Sequence, residues 1–199
     1  MQFRLRIHYR FLLFLFVLSS SLYGNEADSV KSRSSLMALP YIYYTPETRF
    51  ALGAGGIYTF RPKGVSLQGN PSSIQLSLTY TLRNQIIISL TPEIYLQQEN
   101  YRLVGKYEFY KFPDRYWGIG NQTPGSVEEE YTQNLIKTHS NVQKEIFENF
   151  YLGFRYQAEW MKIVDTEPGG LLQKGRVAGS DGGFASGMGI ITSFDSRDN

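Results

Sequence analysis

The sequence predicts an all-β chain, an antiparallel transmembrane β-barrel of which about eight strands are present. Three observations predict it. Apolar and polar residues alternate with a period of two through successive runs, as in strands with unlike faces. In 72–82, Ile74, Leu76, Leu78, Tyr80 and Leu82 share one parity, and Ser73, Gln75, Ser77, Thr79 and Thr81 the other. The runs reach roughly 10–14 residues, beyond the ~5–6 usual in soluble sheets and enough for the ~9–11 that cross a bilayer at a tilt. Finally, 15 Tyr and 13 Phe stand in a chain that is only 19% charged. That composition suits strands and interfacial ring girdles better than helices.

The elements follow in order. Residues 1–24 read as a secretory signal peptide: Arg4, Arg6 and Arg10, then the apolar run Phe11 to Leu18, then small residues up to Gly24. That apolar run is too short to span a bilayer as a helix. Without Arg4, Arg6 and Arg10 the remaining chain holds 17 Lys+Arg against 18 Asp+Glu. The basicity therefore belongs to the leader, and nothing in the charge argues for nucleic acid. Residues 25–38 lack periodicity and are expected to be flexible. Strands are expected over 39–44, 48–60, 72–82, 86–97, 101–111, 128–144, 149–162 and 186–195, so the barrel domain covers 39–199. The sixth, polar throughout, carries the weakest signal. Short turns are expected at 83–85 and 98–100. Long loops fall at 112–127 and 163–185, which places both outside if the first strand rises from the periplasm. The 61–71 connection is long for its periplasmic place in that scheme.

The faces have different chemistry. One is rich in Leu, Ile, Phe and Tyr and suits lipid. The other carries Arg49, Arg83, Glu93, Arg102, Lys106, Glu108, Arg155 and Glu159. Unpaired charges at this density cost several kcal/mol each in a dry core, roughly, and suit a water-filled lumen. A soluble sandwich or ligand-binding barrel shows the same alternation with the opposite sense, apolar inside and polar outside.

Chemistry beyond this is sparse. There is no cysteine, and His139 is the one histidine after the leader, so a Cys/His nucleophile and a multi-histidine zinc site are excluded. A Ser-His-Asp triad has only His139 to use, and no Gly-x-Ser-x-Gly elbow exists. Glu128, Glu129 and Glu130 read as a solvated acidic run rather than a calcium loop, since no ordered ligand spacing follows. Gly53 to Gly56 and Gly187 to Gly189 open no helix and read as strand glycines, not phosphate loops. Gly179 to Gly183 reads as a flexible outer loop. No enzyme, cofactor or metal is expected.

Several stretches resemble the BamA/TamA bacterial surface antigen superfamily of outer-membrane barrels. They are PYIYYTPETRFALGAGGIYTF (40–60), TYTLRNQ (79–85), KFPDRYWGIGNQT (111–123) and GMGIITSFDSRDN (187–199). The last is similar to a Gly-x-Gly strand running into a charged turn, here Asp195, Arg197, Asp198 and Asn199. The resemblance implies a sixteen-stranded barrel, so the chain is expected to hold the N-terminal half of one, truncated and without POTRA domains. It implies assembly or translocation of envelope proteins in the cell outer membrane. Its partners would be outer-membrane lipid, client envelope proteins and the machinery that inserts the barrel itself. The alternatives are a passive outer-membrane pore, a surface antigen, or a secreted soluble β-barrel holding an apolar ligand. For the Asp195 to Asn199 cluster, local turn chemistry is favoured over a functional charged cluster at the barrel rim, because Asp and Asn commonly form turns for local reasons.

Overall fold

The structure is a computed structural model; it describes residues 34–62, 69–119, 128–175 and 177–195. Among these residues there is no helix. Eight strands form one antiparallel sheet in chain order: β1 (Ser34–Thr45), β2 (Arg49–Phe60), β3 (Ser72–Thr81), β4 (Ile86–Leu96), β5 (Tyr101–Tyr116), β6 (Glu129–Phe147), β7 (Phe150–Thr166) and β8 (Gly182–Phe194). Each strand pairs with its sequence neighbours, and no ladder joins β8 to β1. The signal peptide and most of 25–38 lie outside the described residues.

Several boundaries correct the sequence reading. β1 starts at Ser34, inside the segment expected to be flexible, because Leu36 and Ala38 continue the parity of Pro40 and Ile42 against β2. β5 and β7 run on to Tyr116 and Thr166, and β8 begins at Gly182, so the two long connections shrink. The polar β6 is the longest strand, 19 residues, since it is held on both sides by the longest ladders in the sheet. Side-chain hydrophobicity was the wrong guide there; backbone pairing made the strand.

Register keeps the two parities on separate faces from edge to edge. One row across the sheet reads Pro40, Ala54, Leu78, Ile88, Phe109, Ile136, Trp160, Phe184. The adjacent row on the other face reads Leu39, Gly55, Ser77, Ser89, Glu108, Lys137, Glu159, Ala185. A one-residue slip anywhere would exchange these faces, so the alternating pattern itself fixes register.

The sheet curls toward the polar face. Tyr41 on β1 reaches over Gly53 to Thr79 on β3, with the two hydroxyls 2.6 Å apart. Gln143 on β6 passes Gly153 and donates Nε2 to Ser193 Oγ on β8 at 2.7 Å. Contacts that skip a strand exist only where the face is concave, and glycine on the skipped strand leaves the space. A Cβ on Gly53 would strike the Tyr41 ring, and one on Gly153 would strike the Val142 carbonyl.

Burial is inverted relative to a soluble sheet. Tyr95, Tyr151, Thr81 and Gln143 are buried on the concave face. The convex face exposes Leu36 (74%), Phe154 (75%), Met188 (88%) and Ile190 (75%), together with Leu52, Leu76 and Phe184.

Turns define two ends. The upper end carries the β1–β2, β3–β4, β5–β6 and β7–β8 connections, and the lower end the other three. At the top, Thr81 Oγ1 accepts from Arg83 N–H (3.2 Å) and Gln85 N–H (3.2 Å), tying off the β3–β4 turn. Asn84 takes a positive φ there (58°), which Asn tolerates better than most residues. At the bottom, Glu99 accepts from Asn70 N–H (2.6 Å) and Asn70 Nδ2 (2.9 Å), fastening the β2–β3 connection to the β4–β5 turn.

Candidate functional site

The concave face holds the residues picked out by charge. Glu93, Arg102, Lys106, Glu108, Arg155 and Glu159 all lie on it by register. Arg49 opens β2 at its upper end, opposite Thr45. Arg83 does not belong to the face: it occupies the β3–β4 turn, because β3 stops at Thr81. Asp195 follows β8, while Arg197, Asp198 and Asn199 lie outside the described residues.

These charges fall into three groups. In the lower group, Arg102 Nη2 donates to Glu93 Oε1 at 2.6 Å, with Nε on the same oxygen at 2.9 Å. The same guanidinium stands 3.8 Å from Asp195 Oδ2 and packs over the rings of Tyr95 (5.7 Å) and Tyr151 (5.9 Å). Tyr95 Oη also donates to Glu93 Oε1 at 2.7 Å. Arg102 thus spans from β4 to the end of β8 across the curl. In the second group, Glu108 accepts from Lys106 Nζ (2.9 Å) and Tyr110 Oη (2.8 Å). In the third, Lys137 faces Glu159 at 3.4 Å. Arg155 Nε donates to Asn141 Oδ1 at 2.8 Å.

Sequence reasoning missed Tyr95, Tyr151, Gln143 and Lys137. All sit on the off-parity positions of strands already expected, so the signal was present in the sequence. The charges are concentrated on β5–β7. Between Arg49 and Glu93 at its ends, the concave face of β1–β4 carries no charged side chain. There, Gly55, Gln75, Ser77 and Ser89 floor an open trough of about 340 Å³, flanked by Met37 and Leu39. The concave face of β1 is therefore apolar, contrary to the expectation of a uniformly polar lumen.

The acidic run at 128–130 has specific partners. Glu128 meets Arg115 Nη1 at 2.5 Å and Glu130 meets Arg115 Nη2 at 3.4 Å. Glu129 accepts the backbone N–H groups of Leu171 (2.6 Å) and Leu172 (3.1 Å), holding the β7–β8 connection against β6. Gly170 lies so close to the Glu129 carboxylate that a Cβ would collide with it. No cluster of metal-ligating side chains occurs among the described residues. His139 stands between Lys106 and Gln157 in the register.

The convex face has its own polar limits. Lys111, Asn134 and Lys162 line up across β5, β6 and β7 near the upper end. Lys144 lies ten residues below Asn134 on β6, with its Nζ 5.9 Å from the Tyr101 ring centroid. Inside this band, polar side chains find partners within the sheet. Ser140 shares a 3.0 Å hydrogen bond with Tyr107 Oη, and Thr138 Oγ1 donates to the Ala158 carbonyl at 3.4 Å. Pro92, which has no N–H to give β5, lies opposite Gly105.

No protein-family model, curated protein or solved structure matches the chain.

Proposed function

We propose that the chain is an outer-membrane β-barrel protein whose convex face meets lipid and whose concave face lines a wet lumen. One observation carries the reading: the large apolar side chains are exposed on the convex face while polar ones are buried on the concave face. Water would penalise that arrangement at about 25 cal/mol for each Å² of apolar surface left exposed. Hydrocarbon removes the penalty. The spacing of the convex-face polar limits supports it. Ten residues of strand rise about 33 Å, and a tilt near 45° reduces that to about 23 Å, close to the ~25 Å apolar band of outer-membrane barrels. The leader-like residues 1–24 supply the export route.

Within this class, the resemblance of 40–60, 79–85, 111–123 and 187–199 favours a BamA/TamA-type factor that assembles or translocates envelope proteins. A passive pore or surface antigen is the second reading, supported by the charged concave face of β5–β7, which suits ion passage. The soluble ligand-binding barrel is disfavoured by the side on which the apolar residues lie.

Fractionation tests the class. The protein is expected in the outer membrane, folded in unheated detergent gels and shifted in mobility on boiling. Recovery in the periplasmic wash with no heat-dependent shift would refute the membrane assignment.

A further inference from the structure

We propose that Lys111, Asn134 and Lys162 form a site on the convex face for the phosphate of an anionic membrane lipid. The inference rests on the membrane reading above and names a lipid class which that reading leaves open. The three residues stand side by side across the sheet, Lys111 on β5 opposite Asn134 on β6, and Asn134 opposite Lys162 on β7. All three strands are paired on both sides, so the site owes nothing to the sheet edges. Two strand spacings, about 9.6 Å, separate the lysine backbones. Each flexible four-carbon stem is long enough for the two ammoniums to converge over Asn134.

What the row lacks is an anion. On the concave face Lys106 pairs with Glu108 and Lys137 with Glu159. Farther up the convex face Arg115 pairs with Glu128 and Glu130. Lys111 and Lys162 are exposed and have no carboxylate partner among the described residues. Between them, Asn134 Oδ1 is buried with no hydrogen-bond partner among the described residues, an uncommon state for a buried acceptor. With that oxygen turned into the sheet, the Nδ2 protons form the outward edge of the carboxamide. The row therefore presents donors only, two ammoniums and an amide, and a phosphate has oxygens for all three.

The row beneath selects a lipid over a soluble anion. Two residues down each strand, about 6.6 Å, stand Phe109, Ile136 and Trp160, the last two 37% and 46% exposed. An acyl chain lying on those side chains carries its headgroup to the lysines. The same cross-strand row continues through β4, β3, β2 and β1 as Ile86, Tyr80, Leu52 and Ile42, so the cations are a patch on the second half of the sheet. Lys144, the convex-face cation of the lower end, has Tyr101 and Leu152 beside it and no second lysine.

Trp160, directly below Lys162, reports on the site. The full chain carrying Trp117→Phe is refolded into phosphatidylcholine vesicles that contain a minor fraction of brominated phosphatidic acid, a phosphomonoester lipid. Brominated phosphatidylcholine at the same mole fraction is the comparison. Phosphatidic acid should quench Trp160 as though enriched there, by about fivefold for each lysine. Lys111→Gln with Lys162→Gln should abolish the enrichment, as should Asn134→Asp, which sets a carboxylate between the lysines. Lys111→Arg with Lys162→Arg should keep it. So should Lys106→Gln with Lys144→Gln, which removes as much charge elsewhere. Equal quenching by the two lipids, or enrichment that survives the double glutamine variant, overturns the proposal. Loss of the enrichment in excess inorganic phosphate at constant ionic strength assigns the row to a soluble anion and overturns it too. Equal quenching defeats only the lipid site, whereas quenching by neither lipid defeats the membrane reading beneath it.

Discussion

The concave faces of β1–β4 and β5–β7 are built by different means. In the first half, neutral residues are fitted by shape: Tyr41 lies on Gly53 and bonds Thr79, and Gly55, Ser77 and Ser89 leave a trough. In the second, charges are locked pairwise, with Arg102 on Glu93, Lys106 on Glu108 and Lys137 on Glu159. The convex face makes no such distinction, and its apolar rows run through both halves. Under the proposed membrane reading, the convex face is uniform because one solvent, hydrocarbon, sets its composition. The concave face, toward water in that reading, is free to differ between the two halves.

The sharpest way to break this comparison is to put a charge on each face of one neutral strand. Leu76→Lys, on the convex side of β3, should cost about 2–4 kcal/mol, the penalty for a cation near the middle of a bilayer. It should also reduce the amount assembled in the outer membrane. Ser77→Lys, one residue away on the trough side, should stay within about 0.5 kcal/mol. Urea unfolding in lipid vesicles reads both.

Next in size is the lower ion group. Arg102→Ala leaves Glu93 and Asp195 without their shared cation and should cost about 2–3 kcal/mol. That is below the ~3–5 kcal/mol of breaking a fully buried pair, since Glu93 keeps 29% side-chain exposure. Lys106→Ala, at a half-exposed lysine, should cost no more than about 0.5 kcal/mol. Equal losses would mean that Arg102 does not brace the curl.

Gly153→Ala should cost about 1–2 kcal/mol, because the new methyl collides with the Val142 carbonyl and blocks the path of Gln143 to Ser193. Thermal unfolding of the detergent-solubilised protein measures it. Smaller than this is the effect expected of Tyr41→Phe. Removing the hydroxyl from Thr79 should lose about 1 kcal/mol while the ring keeps its place over Gly53. A larger loss would show that the neutral half depends on that bond rather than on shape.

The strand count and both faces were legible because alternation with period two is a direct imprint of strand geometry. Glu93, Arg102, Lys106, Glu108, Arg155 and Glu159 followed from parity alone. Arg83 was misplaced because parity carries through a tight turn on paper, although β3 ends at Thr81 where its hydroxyl caps the turn. The lengths of β5 and β7 were underestimated because their upper ends carry polar and charged residues such as Asp114 and Asp165. Only the ladders among these strands make them extended. The lower brace was invisible for a related reason: Arg102 meets Asp195 and Tyr151 through the curl of the sheet, which no local pattern encodes.

Everything above depends on hydrocarbon lying against the convex face, and the chain's two tryptophans allow that to be tested directly. Trp160 lies on that face one step below the Lys162 row, while Trp117 follows β5 at the upper end. With Trp117→Phe, the fluorescence of the refolded protein comes from Trp160 alone. In vesicles of lipid brominated along the acyl chain, strong quenching of Trp160 is predicted, with little effect from iodide in the water. Efficient quenching by iodide and none by the brominated chains would contradict the account.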